Sequence, residues 1–178
     1  MTYEIIASGF GGQGILFTCK MLAEIGLLDG KEVSWLPSYG PAMRGGTCSC
    51  SVRVSEKLID SPLVTSPNLL IVMNLPSYEK FVPAVKAGGK VFADSSLINS
   101  GVKPADGVDC FMLPATKLAL DNDLKSMANI IMLGKVFKET GFASMETVEK
   151  ALKEITAKKP HLFDLNMKAL DLGINYSA

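Results

Sequence analysis

Gly9-Phe10-Gly11-Gly12-Gln13-Gly14 stands directly behind an apolar run, Tyr3–Ala7, and in front of a helical stretch, Ile15–Leu28. Strand, glycine loop, helix is the order that gives the pattern G-x-G-x-x-G its meaning. Glycine has no Cβ, so the loop can take φ > 0 and admit a ligand close to its backbone. The helix behind it turns free N–H groups and a positive dipole end towards the loop, which favours an anion such as phosphate. A tight strand-to-helix turn without any ligand would read the same way. The fold class that follows is α/β.

An ordinary dinucleotide unit needs an acidic residue at the end of its second strand to hold the ribose. The second strand candidate is Glu32–Leu36, which runs out into Pro37-Ser38-Tyr39-Gly40. Glu32 stands at its wrong end, on the solvent side, and no carboxylate occupies the ribose position. The loop therefore reads as a phosphate or backbone-contact loop whose partner is not a free nicotinamide cofactor.

Further strand candidates are Thr47–Val54, Leu69–Met73, Lys90–Asp94 and Val108–Met112, with helix candidates at Pro76–Ala87 and Pro114–Asp121. Strands alternating with helices predict a Rossmann-like, mostly parallel sheet with helices on both faces. Leu69-Leu70-Ile71-Val72-Met73 is apolar throughout, as a strand buried on two sides should be, and Gly88-Gly89 marks a helix stop before Lys90. Thr47–Val54 alternates, and the turn Ser55-Glu56-Lys57 towards Leu58-Ile59 predicts an inserted hairpin with one face exposed or covered by a partner. The C-terminal third is helical. Ser144 is placed to cap a helix carrying Val148, Ala151, Leu152 and Ile155. Met127–Phe137 is apolar nearly all round and is expected to be buried on several sides.

The 178 residues contain no linker-like segment, repeat or charge block, so a single domain, 1–178, is expected. Eighteen basic residues cancel eighteen acidic ones, which leaves no footprint for nucleic acid or for an anionic membrane. No apolar stretch approaches the ~20 residues of a membrane span, and the expected location is the cytoplasm. Cys19, Cys48, Cys50 and Cys110 lack C-x-x-C spacing and read as small buried hydrophobes. His161, the only histidine, follows Pro160 at a helix start and reads as a surface residue.

After each strand come small polar residues: Gly9–Gly14, Pro37–Gly46, Asn74-Leu75-Pro76-Ser77, Ser95-Ser96 and Pro114-Ala115-Thr116. Ligands of open parallel sheets bind at that rim. The loop Ser38–Thr47 is the second unusual segment. Arg44 is its sole charge, able to fork onto a phosphate or carboxylate or, equally, to strut the loop through carbonyls. No Ser/His/Asp or Cys/His arrangement exists, so bond chemistry by this chain alone is not expected, and no catalytic residue or metal ligand is assigned.

The two loops together resemble the gamma subunit, or gamma domain, of the 2-oxoacid:ferredoxin oxidoreductases. The family pattern, G-x-G-G-Q-G followed by S-Y-G-P-x-x-R-G-G-x and an S-V strand, stands here as Gly9–Gly14, Ser38–Thr47 and Ser51-Val52. The resemblance continues through Ser61-Pro62, the strand ending at Asn74, Ser95–Ile98, Ala128-Asn129 and Leu133-Gly134. Ser34–Tyr39 is most similar to the 2-oxoglutarate and branched-chain members. The resemblance implies a complex that oxidatively decarboxylates a 2-oxoacid, passes the acyl group to coenzyme A and reduces ferredoxin. It places thiamine diphosphate and iron–sulfur clusters on alpha, beta and delta subunits, and leaves this chain to help bind coenzyme A and complete the assembly. Gly9, Gly11, Gly12, Gln13, Gly14, Ser38, Tyr39, Arg44, Gly45 and Asn74 are then the candidate ligand-facing residues. A purely structural interface subunit and a free-standing Rossmann-type reductase are the alternatives. Homodimerisation of the isolated chain, through the Met127–Phe137 helix or the hairpin face, is also expected.

Overall fold

A computed structural model of the chain describes residues 2–39, 46–99, 101 and 103–177, with only the backbone of Tyr39. Arg44 and Gly45 lie outside the described residues. Six strands form one sheet: β1 (Thr2–Phe10), β2 (Glu32–Tyr39), β3 (Thr47–Ser55), β4 (Leu69–Val72), β5 (Lys90–Asp94) and β6 (Asp109–Leu113), in the order β2-β3-β1-β4-β5-β6. The pairs β1–β4, β4–β5 and β5–β6 are parallel, whereas β3 is antiparallel to both β1 and β2. Five strands thus share one direction and β3 alone opposes them.

The parallel half follows from sequence as expected. Leu69–Val72 is buried along its whole length because helices cover both faces. On β1, Ile5 and Ala7 enter one core and Ile6 the other, the two-residue period of a strand. The larger core packs α1 (Ile15–Leu28), α3 (Ala115–Asp121), α4 (Ala128–Thr140), α5 (Met145–Thr156) and α6 (His161–Asn175) on one face. The smaller core, with Val72, Tyr78, Val82 and Val91, lies under α2 (Leu75–Phe81) and a short 3-10 turn, Val82–Ala84.

The expected hairpin is real but differently placed. No strand forms at Leu58-Ile59; β3 instead pairs with β2 on one side and β1 on the other. The hairpin is β2–β3, and its connection carries the second loop. Alternation in Thr47–Val54 reflects this: Cys48, Cys50, Val52 and Val54 are buried beneath α1, and the intervening side chains look the other way. Sliding β3 between β1 and β2 also removes β2 from the place where a dinucleotide fold would hold a ribose. Glu32 is exposed at the far end of β2.

α4 is buried on several sides, as its apolar circumference requires. It crosses α6 with backbones in contact: a Cβ on Gly134 would run into the Leu170 carbonyl, and one on Gly173 into that of Ile131. This covered helix cannot be the self-association surface anticipated from sequence. α5 is capped by Ser144, whose Oγ accepts from the Thr147 amide at 3.2 Å. His161 opens α6 and is exposed. Cys19, Cys48 and Cys50 are buried, but Cys110 is exposed on the edge strand β6, against expectation. Most of β6, at the edge of the sheet, is likewise exposed or half-buried, because the layers of the two cores do not extend fully over it.

Candidate functional site

Three helices begin at the carboxyl rim of the sheet, and two have their opening amides occupied by the chain itself. Asn74 caps α2, its Oδ1 accepting from the Ser77 amide at 2.9 Å. Asp94, fully buried at the end of β5, accepts from the Thr116 amide at 3.1 Å and from Thr116 Oγ1 at 2.5 Å, which fills the start of α3. Its second oxygen accepts from the Ser96 amide at 3.0 Å. Asp94 escaped the sequence reading because its last-in-strand position gives no hint that two loops close over it. At α1 nothing of the kind occurs. Gly14 precedes it in the left-handed conformation, φ 76°, without a side-chain cap, and its first turn holds no acidic residue. The first-turn amides of a helix have no partner within the helix, so among the described residues α1 alone of the three presents an open set of donors.

The loop before α1 is held in shape from within. Gln13 folds back: its Oε1 accepts from the Phe10 amide at 2.6 Å and its Nε2 donates to the Met73 carbonyl at 2.8 Å, tying the loop to β1 and the end of β4. The Gly11 amide donates to the Gly46 carbonyl at 2.9 Å, which seats the end of the second loop against the first. Asn129 of α4 donates to the Gly14 carbonyl at 3.2 Å and reaches Thr18 Oγ1 at 3.3 Å. A Cβ on Gly14 would collide with that amide, so sterics and positive φ both demand glycine there. An asparagine in the otherwise apolar first half of α4, Ala128–Leu133, was the available signal for this brace.

Between the loop, α1 and β2 lies a cavity of about 560 Å³, lined among others by Phe10, Gly11, Gly12, Gly14, Ile15, Leu16, Phe17, Trp35, Pro37, Gly46, Thr47 and Cys48. One end is glycine backbone and helix N-terminus; the rest is aromatic and aliphatic. Such a volume lies within the range of small-molecule sites, and the pairing of apolar wall with few polar groups is typical of them. Among the described residues no carboxylate lines it. Trp35 and Phe10, 46% and 36% exposed, were not singled out from sequence, because a strand reading does not say which side chains overlook a hollow.

Of the residues expected to face a ligand, Gly11, Gly12 and Gly14 line this cavity. Gly9 lies under the Gln13 side chain, where a Cβ would meet Gln13 Oε1 at 2.6 Å. Gln13 is engaged through both its side chain and its backbone amide, which donates to the Phe10 carbonyl at 3.1 Å. Ser38 is exposed on β2 next to Pro37 but is not part of the wall. Asn74 sits deep on the α2 side, and its Nδ2 is buried without a hydrogen-bond partner. Burial raises the Cys48 thiol, and it raises the Cys19 thiol well above the ordinary range. Both are protonated near neutrality, which makes them poor nucleophiles. Among the described residues no three His, Cys, Asp or Glu side chains gather as a metal site, and no helix is long and apolar enough to cross a membrane.

Comparison with known proteins matches residues 4–176 to the family model described as pyruvate ferredoxin/flavodoxin oxidoreductase. The chain is 35% identical, over 96% of its length, to the ketoisovalerate oxidoreductase subunit VorA of Methanothermobacter thermautotrophicus, of which it spans only 35%. It is 36% identical over 89% of its length to the 2-oxoglutarate synthase subunit KorC of Methanocaldococcus jannaschii, covering 86% of that protein. The gamma subunit of a keto/oxoacid ferredoxin oxidoreductase from Geobacter sulfurreducens has a similar structure, with TM-score 0.77, 30% identity, and coverage of 96% of this chain and 95% of that one. The 2-oxoglutarate:ferredoxin oxidoreductase of Magnetococcus marinus, solved with 2-oxoglutarate, coenzyme A and succinyl-CoA bound, shares the fold at TM-score 0.87 and 21% identity. The match covers 97% of this chain and 30% of that one.

Proposed function

We propose, proceeding from the fact that this chain belongs to the pyruvate ferredoxin/flavodoxin oxidoreductase family, that it is a gamma subunit or domain of a 2-oxoacid:ferredoxin oxidoreductase. The assembled enzyme cleaves the bond between the 2-oxoacid's carboxylate and its carbonyl carbon. Carbon dioxide leaves, two electrons pass to ferredoxin, and the acyl group forms a thioester with coenzyme A. This chain acts as a single domain that supplies a coenzyme A site and a docking surface for alpha, beta and delta subunits. Those partners carry the thiamine diphosphate and the iron–sulfur clusters, and the assembly works in the cytoplasm. The relatives' names favour 2-oxoglutarate or a branched-chain 2-oxoacid as substrate.

The observation that carries the reading is the open start of α1 at the end of an apolar cavity. An anionic, partly apolar ligand fits it: the diphosphate of coenzyme A takes the first-turn amides of α1 and those loop amides that Phe10, Gly11 and Gln13 do not already spend within the chain. The remaining wall takes the less polar parts. Gly9 and Gln13 shape the loop, and Gly11, Gly12 and Gly14 line the cavity. Ser38 and the backbone of Tyr39 continue β2 beyond Pro37 in the wall, while Asn74 acts from the α2 side as a cap rather than as a ligand contact. Arg44 and Gly45 directly precede Gly46, which is in the cavity wall, and Arg44 is the cation assigned to a coenzyme A phosphate.

The test is Arg44→Ala in the assembled enzyme. Loss of a charge-assisted contact costs about 1.5–3 kcal/mol, which raises the KM for coenzyme A roughly 10- to 150-fold. The KM for the 2-oxoacid should stay put, because decarboxylation precedes acyl transfer. Arg44→Lys should recover only part of the loss, as the planar fork is gone. A normal KM with this chain lost on gel filtration would make Arg44 an interface residue instead. The isolated chain should bind coenzyme A in calorimetry without oxidising any 2-oxoacid; turnover by it alone would sink the subunit reading.

A further inference from the structure

We propose that the trench between α1 and β2 receives the adenine end of the bound nucleotide, with the Trp35 indole as its stacking platform and Lys20 beside it for the ribose phosphate. This rests on the coenzyme A reading above and assigns the direction in which the ligand lies. Trp35 belongs to the edge strand β2, where Val33, Trp35 and Pro37 share the face towards α1. It forms a common wall of two hollows. One is the cavity at the glycine loop; the other, of about 400 Å³, is lined by Lys20, Ala23, Leu27, Val33 and Trp35.

The two hollows follow α1 in order. Its opening amides come first, then Leu16 and Phe17, then Lys20 and Ala23 on the following turn. From Gly14 to Lys20 is about 9 Å along a helix axis, at 1.5 Å for each of six residues. That is the reach from the diphosphate of a nucleotide to its base. Trp35 is almost half exposed, and an indole offers a flat apolar face on which a purine ring stacks. Among the described residues Lys20 is the sole charged one in the wall of the second hollow, and it makes no ion pair with any of them. No carboxylate among the described residues lines either wall. Diphosphate at the amides, adenine on Trp35 and the remaining phosphate at Lys20 satisfy each group with its chemical complement.

Trp35 is the only tryptophan in the chain, so its fluorescence reports this one position. Titration of the 178-residue chain with coenzyme A or ADP should quench the emission to saturation, whereas 4′-phosphopantetheine, which has no base, should not. Calorimetry should show that Trp35→Ala weakens coenzyme A binding roughly 5- to 150-fold, the range for losing one stacked base. Trp35→Phe should keep most of the affinity, and circular dichroism checks that both variants fold. Lys20→Met should weaken coenzyme A while leaving 3′-dephospho-coenzyme A unchanged. Calorimetric binding of coenzyme A without quenching, or with unchanged affinity in Trp35→Ala, overturns the platform and leaves the coenzyme A reading standing. Should Trp35→Ala fail to fold, the wild-type quenching and the Lys20→Met comparison still decide. Absence of any coenzyme A binding overturns both readings.

Discussion

Gln13 locks the glycine loop onto the ends of two neighbouring strands, β1 and β4. Its side-chain amide bonds to the Phe10 amide and the Met73 carbonyl, so the side chain fixes the loop whose glycines line the cavity. Gln13→Ala removes both bonds at once and leaves two backbone groups without their partner. The expected cost is about 1–3 kcal/mol, measured as a drop in chemical-denaturation midpoint, together with weaker coenzyme A binding from a loop no longer preorganised. If stability falls and binding holds, the loop's shape does not matter to the ligand. The sequence motif showed where the glutamine stands but not that its side chain turns inward. That depends on the carbonyl at Met73, sixty residues along the chain.

At the scale of elements, α4 and α6 depend on their glycines. Gly134 and Gly173 let the two backbones touch, and Asn129 on the same α4 holds the glycine loop. Gly173→Ala forces a methyl into the Ile131 carbonyl. Overpacking of this kind costs about 1–3 kcal/mol, and in a domain of this size each kcal/mol lowers Tm by about 2–4 °C. A fall of roughly 2–12 °C in thermal denaturation is expected. An unchanged Tm would show that the helices can separate freely. Apolar residues all round α4 already indicated a buried helix, whereas its partner could not be read. Helix pairing is a contact between distant segments, and two glycines among sixteen carry no label for it.

Across the whole molecule, stability at alkaline pH should be governed by groups buried in neutral form. Tyr78 lies in the smaller core, 4% exposed, and burial, then the neighbouring Cys110 thiol, pushes its hydroxyl from 10.0 to about 12. The group is neutral when folded and loses its proton more easily when unfolded. Its contribution is therefore fully present below about pH 10 and is lost as pH rises through about 12. Tm should fall more steeply between those values in wild type than in Tyr78→Phe; parallel curves would show that Tyr78 does not carry the effect. The sequence placed Tyr78 in a helix before β5, without revealing that Cys110 on β6 would lie beside it.

Local chemistry alone settled a good part of this protein. The apolar run at Leu69–Met73, the alternation in Thr47–Val54, the capping Ser144 and the glycines at Gly9–Gly14 each act over a few residues. Strand period, helix cap and loop conformation were accordingly correct from spacing. The family resemblance lay in contiguous motifs and was equally readable. Everything that depends on which segments meet needed the folded chain. The insertion of β3 between β1 and β2, the filling of α3's start by Asp94 and the opening of Trp35 onto a hollow are long-range events. Register and cavity shape arise from the simultaneous packing of many side chains, and no single stretch of sequence encodes that sum.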